Sequence, residues 1–195
     1  MIKDFSAIVL AGGKSSRMGR DKALLPCGGE RLIDRVIARL QPYFSQIIVV
    51  GMEPAQIAKL PVTAVLDEQP GRGPLMGILS GLRVSNHDHN LVMACDIPDF
   101  DEAFLQRMLE GSRDYDILVP RHPDGRHEPL FALYHKGIIP LIEASLQRGI
   151  KKIDLIFPEC RQGYIDLEGA TWLRNINTPT DYADYLGNLG TGVSP

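Results

Sequence analysis

The sequence predicts an α/β protein of one domain, with a mostly parallel sheet, helices on both faces and an antiparallel strand in its C-terminal half. Three observations carry this expectation. Short apolar runs such as Ala7-Ile8-Val9-Leu10 and Leu91-Val92-Met93-Ala94 lack the alternation of a half-exposed strand, so they read as strands buried on both sides. Segments with apolar residues at helical spacing separate these runs, and such alternation calls for a parallel sheet covered by helices. At 195 residues the chain is also long enough to bury a core without disulfide or metal staples.

Taken from the N-terminus, the first strand is Ala7 to Leu10. A helix follows from Arg31 to Leu40, with Leu32, Ile33, Val36, Ile37 and Leu40 on one face and Pro42 marking its end. Gln46 to Val50 reads as a strand, Pro54 to Leu60 as a short helix and Val62 to Leu66 as another strand. Gly71-Arg72-Gly73-Pro74 is a glycine-rich turn before a helix from Leu75 to Val84, with Pro74 near its first position. Gly77 and Gly81 lower the propensity of that helix, which points to close approach by a ligand, another backbone or a packed helix.

Leu91 to Ala94 is the next strand, Asp101 to Glu110 a helix and Asp116 to Val119 a strand. Arg121 to Pro129 is a polar loop able to cover a substrate, and Leu130 to Tyr134 returns as the antiparallel strand. Ile138 to Leu146 and Lys152 to Phe157 read as helical, while Gly163 to Ile165 and Trp172 to Ile176 are weaker strand candidates. Thr178-Pro179-Thr180-Asp181 starts a last helix, with a capping hydroxyl and proline in its first turn. The domain is expected to span 1–186, with 187–195 as a flexible tail.

Composition excludes several classes of function. The 21 basic and 24 acidic residues leave a net charge of −3, which supports neither a nucleic-acid surface nor a basic membrane patch. The N-terminal segment lacks a signal-peptide pattern, and no apolar run approaches the roughly 20 residues that span a bilayer. Cys27, Cys95 and Cys160 are far apart and without C-x-x-C spacing, which argues against a zinc site and for a reducing compartment, the cytoplasm.

The chemistry concentrates in Leu10-Ala11-Gly12-Gly13-Lys14-Ser15-Ser16-Arg17-Met18-Gly19-Arg20-Asp21-Lys22. Adjacent glycines directly after a buried strand can turn sharply and present backbone N–H groups, while Lys14, Arg17, Arg20 and Lys22 face a single Asp21. The ligand expected there is a polyphosphate. The loop is not a P-loop, because the position five residues before Gly13 is Ile8, and it does not fit G-x-G-x-x-G. Asp96 ends another buried strand, where open α/β sheets bind ligands, and is a candidate metal ligand. His122 and His127 lie in the polar loop, where histidines are commonly solvated or cap neighbours.

The pattern L-A-G-G-x-S-x-R-M-G-x-D-K-x-L-L resembles the signature loop of the molybdenum cofactor guanylyltransferases, within the larger nucleotidyltransferase family. It is matched by Leu10, Ala11, Gly12, Gly13, Ser15, Arg17, Met18, Gly19, Asp21, Lys22, Leu24 and Leu25. Three further motifs follow in the family's order: Asp67 ahead of Gly73-Pro74-Leu75-Met76-Gly77, then Cys95-Asp96-Ile97-Pro98, then Asn175-Ile176-Asn177-Thr178-Pro179. The resemblance implies a Rossmann-like nucleotidyltransferase sheet.

It also implies that Leu10, Ala11, Gly12 and Gly13 lie against the nucleotide, that Arg17 and Lys22 meet phosphates, and that Asp67 helps hold the nucleoside. Asp96 would bind Mg2+, and Asn175 and Asn177 would lie near the acceptor, with Arg126 and His127 as further candidates. The implied reaction is transfer of GMP from GTP to the terminal phosphate of molybdopterin, with GTP and molybdopterin as partners and transient contact with molybdenum-enzyme assembly proteins. Gly12, where cytidylyltransferase relatives usually have alanine, resembles the guanine-using branch, since a missing methyl leaves room for close approach. At the end of the second strand this chain has Val50-Gly51-Met52, where relatives often carry asparagine. A relative using CTP or a sugar-phosphate acceptor, and a non-catalytic nucleotide-binding module, are the alternatives.

Overall fold

A computed structural model of the chain describes residues 2–12, 21–69, 71–167 and 172–190. Seven strands form one sheet in the order β5-β4-β1-β6-β8-β7-β9. They are β1 (Ile2–Leu10), β4 (Phe44–Val50), β5 (Thr63–Val65), β6 (His89–Ala94), β7 (Ile117–Arg121), β8 (Phe131–His135) and β9 (Gln162–Asp166). A two-residue hairpin pairs β2 (Pro26–Cys27) with β3 (Glu30–Arg31). Within the sheet β8 alone runs antiparallel, to β6 on one side and β7 on the other. The expected sheet is therefore present, and β1 lies between β4 and β6, so the chain's direction of travel across the sheet reverses beside it. Open α/β sheets bind ligands at such a crevice, outside the carboxyl ends of the strands.

Two apolar clusters, one on each face, divide the side chains of β1 between them. Ala7 and Val9 join α1 (Leu32–Leu40), Ile57 of the short α2 (Pro54–Ile57) and α4 (Glu102–Gly111), while Ile8 and Leu10 join α3 (Pro74–Val84) and α5 (Ile139–Gln147). This division is why β1 reads as an unbroken apolar run. In α1 the buried face is Leu32, Ile33, Val36, Ile37 and Leu40, and Asp34 accepts a hydrogen bond from Arg31 N–H at the start of the helix. Burying each such side chain contributes roughly 1.5–3 kcal/mol.

The two glycines of α3 have a packing explanation in the sheet. A Cβ at Gly81 would lie 2.5 Å from Ile8 Cγ2, and one at Gly77 would lie 3.2 Å from Leu10 Cδ2. Their missing side chains seat the helix on β1 and not on a second helix. The order of these contacts also makes α3 antiparallel to β1, so its N-terminus points to the carboxyl edge of the sheet.

Several expected elements change. Trp172 to Ile176 is an irregular segment and not a strand, because Ile176 N–H is bonded to the loop carbonyl of Asp96 at 2.9 Å. Lys152 to Phe157 folds as a 3-10 helix, Ile153–Glu159, rather than an α-helix. The last helix, α6 (Pro179–Gly190), runs past the boundary expected after 186, and 191–195 lie outside the described residues. The β2–β3 hairpin is an element the sequence analysis did not anticipate; it turns at Gly28-Gly29, where φ values of 61° and 92° suit a tight two-residue turn. Among the described residues no helix is long and apolar enough to cross a membrane.

Candidate active site

The carboxyl edge of the parallel half is laced together just beyond the strands. Ala11 N–H donates to Val50 O at 2.9 Å, Cys95 N–H to Leu10 O at 3.0 Å and Gly51 N–H to Val65 O at 2.9 Å. Gly12 and Gly51 then meet backbone to backbone. Gly51 has φ +92°, and a Cβ on it would lie 2.5 Å from Gly12 Cα, while a Cβ on Gly12 would lie 3.0 Å from Gly51 Cα. The room expected at Gly12 for a close approach is taken in this structure by the Gly51 backbone. Val50-Gly51-Met52 serves the same close approach. Gly13 and Arg17 lie outside the described residues.

Lys22 opens the 3-10 turn Lys22–Leu24, which Asp21 caps by accepting Ala23 N–H at 3.1 Å. From there Lys22 Nζ donates to Asp96 Oδ2 and to Asn177 Oδ1, each at 2.9 Å. The Lys22 and Asp96 side chains are only 16% and 18% exposed, so water screens this pair less than an ordinary surface ion pair. Residues from two other sequence motifs, Asp96 and Asn177, therefore converge on the Lys22 ammonium group.

The Asn177 arm is held from both ends. Asp96 O accepts Ile176 N–H at 2.9 Å, and Ile176 is buried with Cys27 and Leu32. Asp181 Oδ2 accepts N–H bonds from Asn177 at 2.9 Å and Thr178 at 2.7 Å, while Thr178 Oγ1 accepts Asp181 N–H at 3.1 Å. This capping box starts α6, and its hydrogen bonds from Thr178 and Asn177, helped by the Lys22 charge, hold the Asp181 carboxyl below its usual range. Further along α6, Tyr182 OH donates to Pro26 O, and Tyr185 OH accepts from Arg35 Nε at 2.7 Å. The helix is thereby tied to the hairpin that follows Lys22.

The other expected site residues are placed around this junction. Asp67 follows β5, two strands from β1 and so about 10 Å across the sheet at the usual strand spacing, and accepts Gln69 N–H at 3.2 Å. Leu10 and Ala11 are buried at the end of β1. Asn175 is exposed and lines an open cavity of 1110 Å³ with Arg35, Phe100, Trp172 and Tyr185; Lys22 and Asp96 are not among its walls.

The 121–130 loop stands on the same sheet edge, but its side chains pair with one another. His122 Nε2 lies 2.8 Å from Glu128 Oε1, Arg126 Nε donates to Asp124 at 2.7 Å, and His127 stacks on Tyr164 with ring centroids 4.8 Å apart. The site roles of Gly51, the Ile176 amide and Asp181 were not anticipated, and only Asp181 carried a local signal, as the acid three residues after a capping threonine.

The donor set at Asp96 can be tested against a divalent cation. Among the described residues no group of three His, Cys, Asp or Glu side chains is placed to hold a metal. One carboxylate at a strand end suits an ion that keeps most of its waters and takes its remaining oxygens from phosphates, the habit of Mg2+ rather than Zn2+.

Comparison with known proteins agrees with this geometry. The model of the MobA-like NTP transferase domain matches residues 7–156. A probable molybdenum cofactor guanylyltransferase of Carboxydothermus hydrogenoformans is 34% identical over 192 residues, covering 95% of this chain and 96% of that protein. One of Pelotomaculum thermopropionicum is 39% identical over 184 residues, covering 90% and 89%. The crystal structure of molybdopterin-guanine dinucleotide biosynthesis protein A from Archaeoglobus fulgidus superposes with a TM-score of 0.81 at 27% identity, covering 95% of this chain and 99% of that one. With its sheet order, its strand-end motifs and these relatives in agreement, the chain belongs to the MobA-like NTP transferase family.

Proposed function

We propose that this nucleotidyltransferase moves GMP from GTP to the terminal phosphate of molybdopterin, releasing pyrophosphate and forming a guanine dinucleotide cofactor. The observation that carries the reading is the convergence of Lys22, Asp96 and Asn177, each from a motif of the family, at the carboxyl end of β6. The relatives' names supply the substrates.

The reaction needs no nucleophile from the protein. An anionic oxygen of the acceptor phosphate attacks the α-phosphorus of GTP, a new P–O bond forms, and the bond to the β-phosphate oxygen breaks as pyrophosphate leaves. Alignment and charge neutralisation are the remaining tasks. Gly12 and Gly13 line the nucleotide, Asp67 holds the nucleoside, and Arg17 and Lys22 meet phosphate oxygens. Asn175 and Asn177 orient the acceptor. Asp96 would hold Mg2+, which supplies charge neutralisation at the phosphates. Lys22, bonded to both Asp96 and Asn177, is the group through which the nucleotide and acceptor sides communicate.

The three thiols are free, and burial pushes Cys95 up to about 12 and Cys160 up to about 11, so they are poor thiolate nucleophiles. Unpaired cysteines suit a reducing compartment, and the cytoplasm is the location that goes with this reading. The test is calorimetric titration with GTP and then CTP, each with magnesium and with a chelator, followed by transfer to molybdopterin. Metal-dependent preference for GTP and formation of the dinucleotide are expected. Equal binding of the two nucleotides, or preference for CTP, overturns the guanylyl assignment.

A further inference from the structure

Lys22, Asp96 and Asn177 come from three separate segments, and each segment is fastened to α1. Leu25, which ends the turn that Lys22 opens, accepts Leu32 N–H on its carbonyl at 2.9 Å. About one helical turn further along, Arg35 reaches the other two segments. Its Nε donates to Tyr185 OH of α6 at 2.7 Å, and its Nη2 donates to Asp99 Oδ1, in the loop that carries Asp96, at 3.4 Å. Arg35 Nη1 also lies 3.9 Å from Glu30 Oε1 of the hairpin.

The spacing along α1 explains how one residue does this. Leu32, Ile33, Val36, Ile37 and Leu40 turn to the core, which leaves Arg35 and Arg39, four residues apart, as neighbours beside that face. Both guanidinium groups meet Asp99: Arg39 Nη1 lies 3.8 Å from the same oxygen, and Arg39 Nη2 donates to Phe100 O at 2.8 Å. Arg39 therefore secures the loop, whereas Arg35 secures the loop and α6 together. The Arg35 and Asp99 side chains are 25% and 13% exposed, so water screens them less than a surface pair.

Both contacts lie a short, stiff step from a site residue. Asp99 follows Asp96 by three residues, in a turn closed by Ile97 N–H on Ala94 O at 3.2 Å, and buried Ile97 and Phe100 hold that turn to the core. Tyr185 lies within α6, whose first-turn residue Asp181 accepts the Asn177 and Thr178 N–H bonds, so the helix carries the Asn177 arm with it. Burial and the Asp99 charge push the Tyr185 hydroxyl up, so it stays neutral as it accepts from Arg35. Arg35 and Tyr185 also share a cavity wall with Asn175.

We propose that Arg35 is a positioning residue of the transfer reaction: by holding Asp99 and Tyr185 at once, it sets the separation of the Asp96 carboxylate and the Asn177 amide that Lys22 spans. The proposal rests on the reading of Asp96 and Asn177 as nucleotide-side and acceptor-side groups, but not on the identity of the base. A misplacement of about 1 Å between reacting groups can cost about a hundredfold in rate, so a strut outside the chemistry can still govern turnover.

The test compares wild type, Arg35→Gln, Arg35→Lys and Tyr185→Phe by hydrogen exchange and by steady-state transfer. Exchange at the Ile176, Asn177 and Thr178 amides should quicken about tenfold in Arg35→Gln and Tyr185→Phe, with the β1 amides unchanged. Tyr185→Phe, which frees α6 alone, should raise the acceptor KM about fivefold and keep kcat within about twofold. Arg35→Gln, which frees α6 and Asp99 together, should also lower kcat about tenfold, with nucleotide affinity within about threefold of wild type. Arg35→Lys keeps a charge for Asp99 but loses the fork, so kcat should recover to within about threefold while the acceptor KM stays raised. Unchanged exchange at the three amides in Arg35→Gln overturns the proposal. So does a lowered thermal midpoint with kcat and both KM values unchanged in the folded variant, which is the outcome of a merely structural role, or a nucleotide affinity that falls as far as the acceptor's. A preference of the wild type for CTP would overturn only the guanylyl assignment.

Discussion

The two ends of the candidate site are built by opposite means. On the side proposed for the nucleotide, Gly12, Asp67 and Asp96 come directly after β1, β5 and β6, so a strand and its next few residues deliver each group. On the side proposed for the acceptor, Asn177 sits in an irregular segment held by the Asp96 carbonyl, the Asp181 carboxylate and the docking of α6 on the hairpin. The first side can be read locally because strand ends are rigid and the sheet aligns them. The second exists only because residues distant in sequence cross-brace one another, and Lys22 joins the two.

The largest expected effect tests that joint. Asp96→Asn removes the negative charge facing Lys22 and the expected metal ligand, and should lower turnover by about a thousandfold with little change in the thermal midpoint. A variant that turned over normally would remove Asp96 from the chemistry. On the nucleotide side alone, Gly51→Ala forces a Cβ to within 2.5 Å of Gly12 Cα at a positive φ. It should destabilise the fold by roughly 2–4 kcal/mol in denaturant unfolding and weaken GTP binding.

On the acceptor side, Asn177→Ala should raise the KM for the acceptor about tenfold and leave GTP affinity within about twofold. If GTP affinity fell as far as acceptor affinity, the division between the two ends would not hold. Thr178→Ala, which takes the hydroxyl from the α6 cap, should cost about 1 kcal/mol of stability, measured by thermal unfolding.

Acid should separate the halves least. Arg31 hydrogen-bonds Asp34 in the first half and Arg161 hydrogen-bonds Asp116 in the second, and each holds its carboxyl below the ordinary 3.8. A lowered carboxylate pKa contributes stability that is complete above the unfolded value and lost as pH falls through the folded one. Stability should therefore fall below about pH 4, and Asp34→Asn or Asp116→Asn should each flatten part of that limb by a small amount, since exposed pairs are screened.

The apolar runs, the helical spacings and the glycine and aspartate motifs were legible because each depends on neighbours within a few residues. Trp172 to Ile176 looked like a strand for the same reason: its local pattern is apolar enough, but its key amide found a loop carbonyl instead of a ladder. Gly12 shows the same limit at one residue. Its absent methyl was visible in the sequence, but its neighbour was not.

By itself, then, the sequence determined a buried parallel sheet, the strand-end positions of Gly12, Asp67 and Asp96, and the four motifs in order. Burial periodicity and turn chemistry are local properties, and they survive folding unchanged. Tertiary structure alone decided that Gly51 fills the space beside Gly12, that Lys22 bridges Asp96 and Asn177, and that Arg35 reaches both Asp99 and Tyr185. Each of these depends on distances between segments that only the packed sheet and helices can set.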